Sequence, residues 1–399
     1  MFCSVGSGFL NQWFYRRDVA QLRRVRSFDH ILVIADLNIG DAVIAQAGIA
    51  ALRAYCPLAD IDFIVHKAAA CLIDGNPDIT NLYPIFNHAP LPEVEDLHHL
   101  FQLCEENPYD LIVTYSPFLR KRKLGKIKQP VLDCAFMETT LVGNQKFPNR
   151  LNHVCWQMYH GIHSLLGDFM THASYELFQG VTVTISPEAI SQAHAFLRRH
   201  ALSGERPLVL YNPDTSSPCT RMPLDDQKYL LQGLLRTEAQ VLLGEGHTVP
   251  HIADCLLNSL SGRLCQKATV IPAAMSFDAY AVFIDTCDAF ITGDSGALHA
   301  AAAWKRAKDG RHPFRNRTAV YAVFGATPAR MYGYDSLQPG FLPAHQHAPS
   351  RTYIAKSPCR NITCIHKMGK TCQSMRCFER MTTAQIVEDI DHDLHFNAL

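Results

Sequence analysis

The sequence predicts an α/β fold made of two Rossmann-like domains that face each other across a central cleft. Three observations carry this. Short apolar runs such as "HILVIADL" and "RPLVLYNPD" alternate with stretches long enough for helices, the pattern of parallel strands covered on both faces. The alternation runs through residues 28–180 and starts again over 181–399. A chain of 399 residues also exceeds what one ordinary core holds.

Residues 1–27 precede the first strand and mix aromatic with basic side chains. They read as a peripheral extension, or as a membrane-surface anchor, since that mixture suits an anionic interface. From residue 30, "HILVIADL" is a strand, "AVIAQAGIAALRAY" a helix and "IDFIVH" a strand. "AAACLIDG" follows as a short helix, then "ITNLYPI" and "YDLIVTYS" as strands, and residues 152–178 as a helical close to the first half. The second half opens with the strand "RPLVLYNPD", the helix "PLDDQKYLLQGLLR" and the strand "AQVLLGEG". "VPHIADCLLNSL" and "SFDAYAVFIDTC" are helices, "DAFITGD" a strand, "SGALHAAAAW" a helix and "TAVYAVFG" the last strand.

With 48% hydrophobic and 19% charged residues the chain suits a globular protein and not a disordered one. A net charge of +0 carries no global signature of nucleic-acid binding. Apolar runs of the ~20 residues a membrane span needs are missing, and no basic region followed by an apolar core opens the chain. The expected setting is the cytoplasm.

In open α/β sheets ligands bind beyond the carboxyl ends of the strands. The turns after "VIADL", "VLYNP", "VLLGEG", "FITGD" and "AVFGAT" are therefore where chemistry is expected. In "AFITGDSGALHAAAA" small residues would let an anion approach the free N–H groups of a helix start. Asp294 and Ser295 read equally well as N-caps of that helix. "NPDTSSPCTRMPLDD" offers hydroxyls, Thr215 among them, with Arg221, a set suited to phosphate oxygens. In "ADLNIGDAVIAQ" the acid Asp41 follows Gly40, and by pattern alone it reads as a helix cap.

Taken together, these pieces resemble glycosyltransferase family 9, the ADP-heptose:lipopolysaccharide heptosyltransferases. The matching elements are "ILVIADLNIGDAVIAQAGIAALRAYCPLADIDFIV", "GNPDITNLYPI", "LVLYNPDTSSPCTRMP", "VLLGEG", "FITGDSGALHAAAA" and "AVFGATPARMYGY", in that order. The resemblance implies a GT-B fold, with residues 28–180 binding the acceptor and 181–399 the nucleotide sugar. It implies inverting transfer of a heptose from ADP-heptose to a hydroxyl of a lipopolysaccharide-type or related glycan, with no metal needed for catalysis. Asp41 matches the family's general base, and Arg221 the basic residue that contacts the donor phosphates. Met222 stands where the family has tryptophan before proline. Asp294, Ser295, Gly296, Ala297, Leu298 and His299 match the donor loop D-[ST]-G-x-x-H, and Thr327 a further loop near the donor. Another nucleotide sugar, a protein acceptor, or a silent relative that only binds a nucleotide sugar are the alternatives.

Two further clusters stand out. "LRKRKLGKIK", residues 119–128, holds six basic residues, and Arg120, Lys121, Arg122 and Lys123 are candidates for an anionic glycolipid acceptor or a membrane surface. A solvated loop is the plainer reading. Ten of the fourteen cysteines are scattered, as reduced buried thiols are, while Cys359, Cys364, Cys372 and Cys377 crowd into 19 residues before a C-terminal helix. Four thiols so close permit a structural zinc or iron site, disulfides, or unligated cysteines.

Overall fold

In a computed structural model, the described residues are 28–36, 38–87, 93–115, 131–133, 153–156, 158–159, 162, 180–202, 206–325, 327–338, 341–342, 349–355, 376–378 and 381–396. Contacts divide the chain into two compact units: Met1–Arg150 with Val154–Val181, and Leu151–His153 with Thr182–Leu399.

The first unit begins with β1 (His30–Ala35), every residue of which after His30 is buried. It runs into α1 (Ile39–Tyr55), whose Arg53 secures the far end by donating to Ala59 O (2.7 Å) and Asp78 O (2.9 Å). β2 (Asp60–His66), a 3-10 turn over Lys67–Leu72, β3 (Asn81–Phe86), α2 (Val94–Glu106), β4 (Leu111–Thr114) and β5 (Val131–Asp133) follow. The strands pair in parallel in the order β3-β2-β1-β4-β5. The chain thus winds outward from β1 through β2 and β3, then returns to add β4 on the other side of β1. That reversal makes the carboxyl ends of β1 and β4 a topological switch point. Gly48 permits close packing there, because a Cβ would lie 1.7 Å from the Tyr115 hydroxyl. Asp62, in the acidic "DID" of β2, is a structural residue. It is buried and accepts from Tyr109 Oη (2.7 Å) and Asn81 Nδ2 (2.9 Å).

The second unit contains β6 (Thr182–Ile185), α3 (Pro187–Arg199), β7 (Leu208–Asn212), α4 (Leu224–Leu234), β8 (Gln240–Gly244), α5 (Ile252–Leu257), α6 (Gly262–Cys265), β9 (Ala268–Ile271) and α7 (Phe277–Thr286). It continues through β10 (Ala289–Gly293), α8 (Gly296–Ala302), β11 (Trp304–Ala307), β12 (Ala319–Phe324), α9 (Ala329–Tyr332), β13 (Arg351–Ile354) and α10 (Thr383–Phe396). Six strands pair in parallel as β13-β12-β10-β7-β8-β9. Here the direction reverses between β7 and β10. The core holds Tyr211, Leu230, Leu243, Ile291 and Tyr321, all nearly inaccessible.

The C-terminal helix is tied to this sheet by charge as well as packing. Asp393 accepts from Tyr321 Oη (2.7 Å) and takes Arg351 in a two-pronged contact (2.7 and 3.0 Å), while Tyr353 Oη donates to Asp389 (2.7 Å). Against α4, Gly233 allows the approach of Val387, whose Cγ2 lies 2.6 Å from where a Cβ would be.

Several expectations need correction. "TAVYAVFG" is not the last strand: β13 adds an edge beyond it. β9 was unassigned in the sequence reading, and Trp304, placed there at a helix end, opens β11, which pairs in parallel with β6 as a separate two-stranded sheet. These strands have four residues each, too few for the alternation to register. Of the helical stretch expected over 152–178, residues 154–156, 158–159 and 162 are helical and the rest lie outside the described residues, apart from His153. Among the described residues no helix is long and apolar enough to cross a membrane.

Candidate functional site

The switch point of the second unit collects polar side chains from neighbouring turns. β7 ends on Asn212 and β10 on Gly293, one strand apart. Asn212 Nδ2 donates to Thr292 Oγ1 (3.0 Å) and to the carbonyl of Asp214 (3.1 Å), and the Thr292 and Ser295 hydroxyls are 3.0 Å apart. Gly293 is required here: a Cβ would come within 2.8 Å of Thr215 Cγ2 and 2.9 Å of the Thr220 carbonyl. A small residue at the strand's end therefore lets the β7 turn close over it.

That β7 turn is knitted internally. Thr215 Oγ1 donates to Ser217 O (3.0 Å) and accepts from Thr220 Oγ1 (2.9 Å). Arg221 Nη2 donates to Thr215 O (2.6 Å) and stands 2.9 Å from the Asp214 carboxylate. The other Asp214 oxygen accepts the backbone N–H of Thr248 (2.6 Å) and of Val249 (3.3 Å), in the turn after β8. Met222 is buried in the core, and its carbonyl accepts from Gln227 (2.6 Å).

After β10, Ser295 holds the N-cap position with extended angles (φ −147, ψ 165), yet its side chain makes no capping bond to α8. Its hydroxyl turns to Thr292 instead. Asp294 precedes the cap, Ala297 and Leu298 are buried, and His299 is 4% exposed. His299 Nδ1 lies 3.0 Å from Tyr334 Oη. On the other side of Tyr334 sits His153, ring centroids 4.5 Å apart; burial, then the nearby His299, lowers its pKa to about 3, so it is neutral at ordinary pH. The far end of α8 is held by Lys305, whose Nζ donates to Ala301 O (2.5 Å). Burial brings that ammonium down to about 7 despite the opposing pull of Asp285. Thr327, in the turn after β12, is buried.

At the switch point of the first unit, β1 runs into the wholly buried Asp36, and α1 starts at Ile39 with Asn38 as its N-cap (φ −63, ψ 170). Asp41 is the third helical residue and partly exposed. It is thus not the cap. A carboxylate in the first turn still meets the positive end of the helix dipole. Arg120, Lys121, Arg122 and Lys123 lie outside the described residues, as do Cys359, Cys364 and Cys372. Cys377 is described and buried, next to Phe378, whose ring fills the space a Gly325 Cβ would take.

The sequence reading passed over Asp214, Asn212 and Tyr334. Asn212 and Asp214 stand in the quoted stretch after "VLY", where a polar residue at a strand's carboxyl end was the available signal. Nothing in the sequence pointed from Tyr334 to His299.

Comparison with known proteins bears on this arrangement. Residues 171–308 match the model of glycosyltransferase family 9 (heptosyltransferase), a span that includes the turns after β7, β8 and β10. A solved E. coli ADP-heptose lipopolysaccharide heptosyltransferase II is 17% identical, with 93% of this chain and 100% of that one covered at a TM-score of 0.62. E. coli heptosyltransferase WaaC, solved with ADP, is 13% identical over 91% of this chain and 99% of its own, TM-score 0.56. The iron-containing dodecameric glycosyltransferase TibC of enterotoxigenic E. coli is 12% identical over 93% and 80%, TM-score 0.51. No curated protein matches by sequence. The chain has the GT-B fold of these enzymes, and its resemblance to family 9 rests on the matched segment.

Proposed function

We propose that this protein is an inverting glycosyltransferase that moves a heptose from ADP-heptose to a hydroxyl of a lipopolysaccharide-type or related glycan. The observation that carries the reading is the position of the family match: it spans the turns gathered at the second unit's switch point. In this reading Thr215, Arg221, Asp294, Ser295, Gly296, Ala297, Leu298, His299 and Thr327 form the donor site. The helix start and the guanidinium stabilise negative charge as ADP departs. Asp41, at the corresponding point of the first unit, takes the acceptor's hydroxyl proton as that oxygen bonds to the anomeric carbon. The anomeric carbon–phosphate oxygen bond breaks with its electron pair going to ADP, and the configuration inverts.

Arg120, Lys121, Arg122 and Lys123 are assigned to the anionic part of the acceptor, which places the enzyme at the inner face of the cytoplasmic membrane. Acceptor binding should then weaken as salt rises. Cys359, Cys364, Cys372 and Cys377 are assigned a structural zinc or iron ion, for which four thiolates are a suitable donor set. The iron in TibC and the burial of Cys377 support this. Metal analysis of the purified protein beside a C364S/C372S variant tests it; equal metal content in both would overturn it.

The donor assignment is tested by calorimetry with ADP-, UDP- and GDP-sugars. Selective binding of ADP-heptose is the expected result. Preference for a UDP- or GDP-sugar would replace the donor, and binding without turnover on any glycan acceptor would make the protein a silent relative.

A further inference from the structure

Asp214 is a carboxylate only 7% exposed, at the carboxyl end of the strand nearest the switch point. A charge so buried is kept only where it is paired and hydrogen-bonded. Here the two oxygens are divided between tasks. Oδ2 takes the Thr248 and Val249 N–H groups of the β8 turn, and Oδ1 faces Arg221 Nη2 at 2.9 Å. The β8 turn wraps tightly onto the carboxylate, since a Cβ on Gly246 would lie 3.0 Å from Oδ2 and 2.6 Å from the Val249 carbonyl. Its own carbonyl is held by Asn212, which also reaches Thr292 at the end of β10. One side chain and its backbone therefore join the turns after β7, β8 and β10.

We infer that Asp214 is a positioning residue for donor binding, which fixes the Arg221 guanidinium and the β8 turn before the nucleotide arrives. The inference rests on the glycosyltransferase reading above. An arginine side chain has considerable rotamer freedom, and ordering it in advance removes that cost from binding. The contacts to Asp214 and to the Thr215 carbonyl both use Nη2, so the fork is oriented from one side. Asp214 does not touch the donor in this account. It acts through Arg221.

Two variants of the full chain separate its tasks. Asp214→Asn keeps an acceptor for the Thr248 N–H but removes the charge opposite Arg221; Asp214→Ala removes both. With ADP as the calorimetric probe, Asp214→Asn should weaken binding about tenfold, a charge-assisted contact being the one lost. In turnover, KM for the nucleotide sugar should rise by a similar factor while kcat at saturation changes less than twofold. In an Arg221→Ala background the same substitution should have no further effect on ADP binding. Hydrogen exchange measured without nucleotide should find Thr248 and Val249 protected in wild type and Asp214→Asn, and exchanging at least tenfold faster in Asp214→Ala. Unchanged or tighter ADP binding by Asp214→Asn would overturn the proposal, because the carboxylate would then compete with phosphate for Arg221. A loss that persists in the Arg221→Ala background would overturn it too, as an effect on folding alone. A wild-type protein that ignores ADP removes the glycosyltransferase reading itself, which the variants' mutual comparison does not.

Discussion

The two switch points occupy equivalent places in two parallel sheets, yet they are furnished differently. After β1 the chain presents a buried Asp36 and a partly exposed Asp41 at the start of a 17-residue helix. After β10 it presents hydroxyls, Thr292 and Ser295, at the start of a seven-residue helix. Acids suit the acceptance of a proton, and hydroxyls with free N–H groups suit the holding of an anion. The same fold position is thus furnished for two tasks by the choice of a few side chains.

Substitutions test that division, beginning with the largest effect. Asp41→Asn should reduce glycosyl transfer by roughly 10²–10⁴-fold, the range of a lost general base, while ADP affinity in calorimetry stays within about twofold. Retained turnover would leave the first switch point without a chemical task. Lys305→Met probes the far end of the seven-residue helix. The unfolded chain holds the lysine proton up to about 10.5 and the folded one to about 7, so stability rises with pH across that window. Replacing it should stabilise the protein at pH 7 by roughly 2–5 kcal/mol and flatten the dependence of the thermal midpoint on pH between 7 and 10.

Gly293→Ala should destabilise by roughly 1–3 kcal/mol, because Thr215 and the Thr220 carbonyl must move. ADP binding should fall with it, and chemical denaturation alongside calorimetry reads both. An alanine with normal ADP affinity would detach the β7 turn from the donor. The smallest effect is expected for Tyr334→Phe, which removes the hydroxyl at His299 Nδ1 and should cost about 1 kcal/mol in thermal unfolding.

The parallel sheets were legible because "ILVIA" and "VLY" are buried on both faces, and continuous apolar runs register in any window. β13 was not, since its four residues "RTYI" owe their strand to the exposed edge of β12 and to Arg351's hold on the C-terminal helix. Asp41 looked like a cap because residue type resembles one, whereas the cap is assigned by backbone angles and falls on Asn38. Ser295 shows the converse: it sits at the cap and bonds elsewhere. Arg221 was readable as a cation near a helix start, but its partner Asp214 was not, because a pattern gives no distances.

The C-terminal helix has a consequence for how the chain is made. Val387 covers Gly233 on α4, so the layer over the second sheet closes only when a segment roughly 150 residues downstream has been synthesised. At about 5–20 residues per second that is a wait of roughly 8–30 s, during which the outer side of α4 and the edge at β12 stay open. Chaperone capture of nascent chains should peak in that interval.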